Sequence, residues 1–103
     1  MSECLTHAGQ LWLWTGGQAG WYFLTIDGEA GAELTATALM RRLETGSRPG
    51  WGALRVTARL GQSAWATVVI PGKDGDWLLP VKKAIRTAEG VGEGDRIKVE
   101  LTY

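Results

Sequence analysis

The sequence predicts a mainly β domain, a small closed or half-open barrel of six strands with two short helices. Three observations support this prediction. Several short segments alternate apolar with polar side chains, two others repeat apolar residues at helical spacing, and glycine-containing turns separate them. A barrel is favoured over an open sheet because closure removes the exposed strand edges.

Residues 77–101 contain the clearest architectural signal. Pro80 suits the first turn of a helix, where a missing N–H costs no hydrogen bond. Gly90 ends the predicted helix, and Gly94-Asp95 forms a tight turn. The helix is expected to bury a stripe formed by Val81, Ala84, Ile85 and Ala88. The strand after the turn alternates, with an inner face formed by Ile97, Val99 and Leu101.

Two strands and a helix are predicted in the first half of the chain. Residues 11–15 alternate, and residues 21–26 are apolar on both faces, which favours a central strand. Asp27 is a suitable N-cap for a helix that begins near Glu29 and ends at a pair of arginines. The inward stripe of this helix is predicted to be Ala32, Ala36, Leu39, Met40 and Leu43.

A hairpin is predicted in the second half. Residues 54–60 alternate clearly, and residues 64–70 are rich in branched side chains after a short turn. Residues 44–50 are a loop by composition, and residues 71–76 form a further turn before a short strand at residues 77–79. The hairpin, the two early strands and the two strands of the C-terminal region make up the six.

Length and composition favour one compact domain. A chain of 103 residues with 45% apolar residues and 15 glycines suits a single β-barrel domain at residues 11–103, after a flexible N-terminus at residues 1–10. No apolar run approaches the roughly 18 residues of a membrane span. The first residues lack the pattern of a secretory signal, so a cytoplasmic location is predicted.

The charge is unevenly distributed although the formal net charge is zero. Residues 1–40 contain four acids and no Lys or Arg, whereas residues 41–103 contain all 11 bases and seven acids. Such asymmetry is one sign of an anionic partner. A mixed, solvated surface is the favoured explanation, because the two halves can interleave in space.

A set of short motifs resembles a known type of domain. Leu79-Pro80 before a lysine-bearing helix, followed by Gly94-Asp95, resembles the double-split β-barrel of the AbrB, MazE and MraZ type. Almost the whole chain is similar to a small prokaryotic family catalogued as a domain of unknown function, which is also found fused to YdeI/OmpD-associated (bacteriocin-protection) domains. The remaining matching pieces are Trp21-Tyr22-Phe23, Gly50-Trp51-Gly52, Trp65, Ile70-Pro71, Val81-Lys82 and Arg86. The resemblance implies a mainly β, six-stranded double-split β-barrel with two short helices, and no assigned activity.

The residues that could perform catalysis are few. His7 is the only histidine and Cys4 the only cysteine, so a Ser-His-Asp triad or a histidine-rich metal site cannot be assembled. Asp74 and Asp76 lie in a glycine-containing loop that lacks the later ligands of a calcium loop. The sequence therefore predicts a protein that is not an enzyme, with no metal and no cofactor.

Six tryptophans are the most unusual feature of the composition. Indole rings can stack against a sugar, a base or another flat ligand, or they can fill a small core. The leading hypothesis is a binding module whose aromatic-lined pocket holds a small ligand or a partner segment. The candidate stacking residues are Trp21, Trp65 and Trp77, and the candidate anion contacts are Lys82 and Arg86.

Two alternative functions stay open. AbrB-like nucleic-acid binding would use basic side chains on a helix face and a strand face, namely Arg55, Arg59, Lys82, Lys83 and Arg86. An accessory module for protein–protein interaction would instead expose an apolar patch. A monomer and a homodimer are both compatible with the sequence.

Overall fold

The computed structural model describes residues 3–16, 20–45 and 52–103. In these parts of the chain, six antiparallel strands form a closed barrel and two α-helices lie outside it, which confirms the predicted fold class. The elements are β1 (Cys4–Trp14), β2 (Trp21–Ile26), α1 (Gly28–Thr45), β3 (Leu54–Leu60), β4 (Ser63–Pro71), β5 (Trp77–Pro80), α2 (Lys83–Glu89) and β6 (Arg96–Thr102). Around the barrel the strands follow the order β1-β2-β5-β4-β3-β6. The predicted loop at residues 44–50 and Trp51 lie largely outside the described residues.

The barrel closes through β1, which has two partners. Its second half pairs with β2, from Leu11 opposite Leu24, and its first half pairs with β6, from Cys4 opposite Thr102. Residues 4–10 are therefore strand, which corrects the expectation of a flexible N-terminus over residues 1–10. The apolar alternation of this segment is weak and left a frayed end and a weak edge strand as alternatives, because its pairing depends on a partner at the other end of the chain.

The core lies inside the barrel and takes alternate residues from each strand. On β3 every second side chain is buried, beginning with Leu54, and the arginines between them are exposed, as the alternation predicted. β3 pairs with β4 as the predicted hairpin. The largest fully buried side chains are Leu11, Leu24, Ile26, Leu34, Leu79, Leu101, Val69 and Val99. Their removal from water is the main stabilising contribution to the fold.

α1 contacts the barrel with a different face from the predicted one. Leu34 is fully buried, and Ala30 and Ala38 pack partly against the core. A Cβ on Gly31 would lie 2.8 Å from the Ile26 carbonyl oxygen, so glycine permits the helix to approach the sheet closely. Neither helix of the described chain is long and apolar enough to cross a membrane.

The predicted inward stripe of α1 is on the outside, so that prediction is wrong. Leu39, Met40 and Leu43 are 50%, 57% and 71% exposed, and Ala32 and Ala36 are exposed as well. Both faces of this helix carry apolar residues at helical spacing, and periodicity does not distinguish them. The face with the smaller side chains packs against the barrel because small side chains allow the helix to lie closer to the sheet. We call the exposed set, Ala32, Ala36, Leu39, Met40 and Leu43, the outer stripe.

α2 begins later than predicted and buries half of its expected stripe. Pro80 is the last residue of β5, paired with Phe23, and the helix starts at Lys83. Val81 and Ile85 are buried, whereas the two predicted alanines, Ala84 and Ala88, are exposed. Gly90 ends the helix in the left-handed conformation with φ 66°, in agreement with the prediction.

Stability should depend on pH through Tyr103. Burial raises the pKa of this phenol above its ordinary value of 10.0, and the charge of Glu33 raises it further. As pH rises, the unfolded chain therefore loses this proton before the folded chain does. The contribution of the buried phenol to the free energy of unfolding is complete below about pH 10 and is lost as pH rises through the raised pKa. Urea unfolding of wild type and Tyr103→Phe should show a larger loss of stability for wild type between about pH 8 and pH 11. Identical pH profiles would contradict this assignment.

Candidate functional site

A cleft opens in the barrel wall where β5 ends. β5 pairs with β2 along its whole length of four residues, but with β4 only through Ile70 and Pro71. After Pro80 the chain turns into α2, and the last bond to β2 runs from the Val81 N–H to the Tyr22 carbonyl at 2.9 Å. The start of β2 and the middle of β4 are thus separated, and a cavity of about 460 Å³ lies between them.

Three segments that are distant in sequence line this cleft. The start of β2 forms one side, the middle of β4 forms the second, and the junction of β5 with α2 forms the third. Four of the five predicted ligand-binding residues, Trp21, Trp65, Lys82 and Arg86, are among the lining side chains. The complete described lining is Gly20, Trp21, Tyr22, Trp65, Ala66, Thr67, Pro80, Val81, Lys82, Lys83 and Arg86.

The aromatic side of the cleft combines an exposed and a buried indole. Trp21 is 51% exposed, and its ring is stacked on Phe23 at a centroid distance of 6.2 Å and an interplanar angle of 12°. Phe23 also contacts Trp12, at 5.4 Å, so the exposed ring is supported by an aromatic cluster. Trp65 is 6% exposed, and its buried Nε1–H has no hydrogen-bond partner in the described chain. A supported, accessible ring is suited to stacking with a flat ligand.

The basic side of the cleft is organised around Arg86. Its guanidinium lies 3.6 Å from the centre of the Tyr22 ring, and its Nε–H donates to the Val81 carbonyl at 3.2 Å. Lys82 and Lys83, both exposed, line the same cleft. Within the described parts of the chain, no carboxylate lies within 4.0 Å of any of these three cations. The cleft is therefore electropositive beside its aromatic surface.

Trp77 does not line this cleft, which corrects the expectation that it stacks with the other candidates. It is 5% exposed, and its Nε1–H donates to the Thr35 hydroxyl of α1 at 3.0 Å. It lies opposite Ile26 at the end of β5 remote from Pro80. Trp77 thus anchors α1 to the barrel, and only the strand register shows this.

The basic residues of the nucleic-acid hypothesis line several different cavities. Arg55 lines a separate cavity with Thr102 and Tyr103, and this cavity shares only Ala66 and Thr67 with the cleft. Arg59 lines a third cavity that also contains the carboxylate-bearing Glu100, its cross-strand partner. The helix and strand bases therefore do not line one common cavity.

The outer surface of the β1–β2 hairpin holds two further tryptophans. Trp14 is 43% exposed and lies opposite Trp21 in the strand pair. Trp12 is half-buried, and its Nε1–H donates to the Thr25 hydroxyl at 2.9 Å. Trp12 and Trp14 are two residues apart on β1 and share one face of the strand, which is thus part exposed patch and part packed surface. Trp14 is thus an exposed indole outside the cleft lining, and it can serve as a control for Trp21.

Residues considered for catalysis or metal binding lie away from the cleft. His7 Nε2 is 3.4 Å from a carboxylate oxygen of Asp27, and Cys4 is exposed on β1. Asp74 has φ 55° in the turn before β5. Among residues 3–16, 20–45 and 52–103, no group of three or more His, Cys, Asp or Glu side chains is placed to hold a metal ion.

Sequence reasoning did not find the contact of Tyr22 with Arg86 or the position of Thr67. Tyr22 supports the Arg86 guanidinium, and Thr67 is one of the residues that line the cleft. The apolar strand pattern around Tyr22 indicated only a central strand. Its position beneath Arg86 depends on the turn after β5, for which the sequence carries no separate signal.

The electropositive cleft should alter quenching of tryptophan fluorescence. Iodide should quench wild-type emission more strongly than caesium at equal concentration, because the cations attract iodide to the exposed ring of Trp21. The ratio of iodide to caesium quenching should fall in Lys82→Gln and in Trp21→Phe, whereas Arg96→Gln, on exposed β6 surface, should behave as wild type. If the ratio of iodide to caesium quenching were the same in all four proteins, the cations of the cleft would not attract iodide to Trp21.

A comparison with known proteins places the chain in a family. The model of the family described as "Domain of unknown function (DUF1905)" matches residues 8–101. No curated protein matches the chain. The matched region runs from β1 to β6 and includes all the described residues that line the cleft. By this match over most of its length, the chain belongs to the DUF1905 family.

Proposed function

We propose that the protein is a non-enzymatic binding module whose cleft between β2, β4 and α2 holds a small ligand. The observation that carries the proposal is the convergence of Trp21, Trp65, Lys82 and Arg86 on one cavity. A volume of about 460 Å³ is within the range of ligand pockets, about 300–1,000 Å³. An aromatic surface with a few placed polar groups is the usual composition of such sites.

Each side of the cleft has a separate task in this proposal. Trp21 offers a flat, supported surface, and aromatic stacking contributes about 0.5–1.5 kcal/mol beyond the buried area. The three cations orient a polar part of the ligand. In this proposal Tyr22 and the two lysines of the lining, which are residue types that can also transfer protons, serve as contacts to the ligand.

A cytoplasmic location is part of the proposal. Cys4 is exposed and has no cysteine partner, a state that is typical of proteins in a reducing compartment.

Nucleic-acid binding of the AbrB kind has weaker support. Basic side chains that bind nucleic acid are typically clustered on one face of a domain or along a helix. Arg55 and Arg59 instead line cavities other than the one lined by Lys82, Lys83 and Arg86.

A second function is favoured by the outer stripe of α1, and here we infer self-association. Ala32 and Ala36 occupy the N-terminal half of the stripe, and the larger Leu39 and Leu43 occupy its C-terminal half. Antiparallel pairing of two copies would place the large side chains of one helix against the small ones of the other. Exposed apolar patches of this kind are typical of interaction sites.

The ligand hypothesis can be tested by a thermal-shift screen with sugars, nucleotides and aromatic acids. A ligand at about 100 times its Kd stabilises the folded state by about 2.7 kcal/mol, which raises the Tm by roughly 10 °C. Trp21→Ala should remove the shift, whereas Trp14→Ala, an exposed indole outside the cleft lining, should retain it. A screen without stabilising compounds, or hits indifferent to Trp21→Ala, would refute the proposal.

The self-association hypothesis is tested by light scattering over a range of protein concentrations. Wild type should form a dimer, and Leu43→Ser should shift it to monomer because the stripe loses its most exposed apolar side chain. Thr57→Ser, on the exposed face of β3, is the matched control and should not change the mass. A wild-type monomer at every concentration would eliminate this function.

A further inference from the structure

We infer that the ligand of the cleft is a planar molecule carrying an oxyanion, either a carboxylate or a phosphate monoester, whose charge is bound by Arg86. This inference rests on the proposed function, because it specifies the ligand of the same cleft. It follows from the fixed position of one guanidinium, from unbalanced positive charge and from the neighbouring stacking surface.

Arg86 is held in place by contacts that leave its terminal N–H groups available. The Nε–H donates a hydrogen bond to the Val81 carbonyl at 3.2 Å. The guanidinium carbon lies 3.6 Å from the centre of the Tyr22 ring, which supports it. The terminal nitrogens have no hydrogen-bond partner in the described chain. These nitrogens present the paired donors that match the two oxygens of a carboxylate or phosphate. Because the side chain is already ordered, binding loses little conformational entropy.

The charge around Arg86 is not compensated by the protein. Lys82 and Lys83 line the same cleft, and within the described residues no carboxylate approaches any of the three cations. The one acid of α2, Glu89, is directed elsewhere, since its carboxylate accepts a bond from the Ser63 hydroxyl at 2.6 Å. An oxyanion in the cleft would therefore relieve the repulsion among these cations and form charge-assisted hydrogen bonds.

The rest of the ligand should be flat and small. Trp21 presents an exposed ring whose opposite side is supported by Phe23. The cavity holds the volume of about 15 water molecules at about 30 Å³ each, enough for one or two rings and a short linker. Trp21 and Arg86 line the same cavity, so the inferred ligand would stack on the indole and pair its charge with the guanidinium.

The inference is tested with matched pairs of anionic and neutral compounds in titrations at fixed salt. The pairs are adenosine 5′-monophosphate with adenosine and indole-3-acetate with indole-3-acetamide. In at least one pair, the anion should bind about ten- to a hundredfold more tightly than its neutral partner. Arg86→Gln should abolish the difference, Arg86→Lys should restore part of it, and Arg96→Gln should leave it unchanged.

Folding of the Arg86 variants is checked by thermal unfolding, because the Tyr22 and Val81 contacts are lost with the side chain. Lys82→Gln provides a second test that keeps those contacts, and it should weaken the anion about two- to fivefold. Equal binding within both pairs would overturn the inference. The proposed function would survive that result if Trp21→Ala still abolished binding.

Three further results separate the remaining explanations. Preference for the phosphate or for the carboxylate pair identifies the source of the oxyanion, and either result supports the inference. A single-stranded oligonucleotide that binds more tightly than the mononucleotide, with steep salt dependence, would overturn it in favour of nucleic acid. Absence of binding by every anionic probe would also overturn it, whereas a neutral compound found in the thermal-shift screen would leave the proposed function standing.

Discussion

The short length of β5 is the constraint on which the described architecture and its cleft depend. Four residues bridge β2 and β4, so the barrel is closed at one end of this strand and open at the other. At the closed end Trp77 binds Thr35 and attaches α1. At the open end Pro80 terminates the ladder, and α2 brings its cations to the gap. A longer β5 would pair with β4 along its middle and fill the cleft.

The two helices have different relations to the barrel. α2 buries Ile85 in the core, and the next residue, Arg86, lines the cleft. There the Tyr22 ring and the Val81 carbonyl hold the guanidinium in place. α1 instead packs through Gly31 and Leu34 and leaves the outer stripe exposed. One helix therefore serves the proposed ligand site, and the other carries the surface suited to self-association.

The ligand-binding role of the candidate residues stays a prediction, and composition is the signal that named them. An excess of tryptophan and a basic helix led to four residues that line one cavity, although β2, β4 and the β5–α2 junction are far apart in sequence. The sequence grouped Trp77 with the stacking candidates Trp21 and Trp65 because its indole is chemically the same as theirs. Its location follows from pairing with Ile26, a register that depends on contacts across the barrel.

The sequence by itself determined the local elements: the alternation in β3, the branched residues of β4, the glycine that ends α2, and the class of a six-stranded barrel. These follow from short-range periodicity and backbone preference. Only the tertiary structure decided which apolar face of α1 is buried, that residues 4–10 pair with β6, and that β5 stops short of the middle of β4. Each depends on long-range packing, where close approach and strand register select among locally equivalent alternatives.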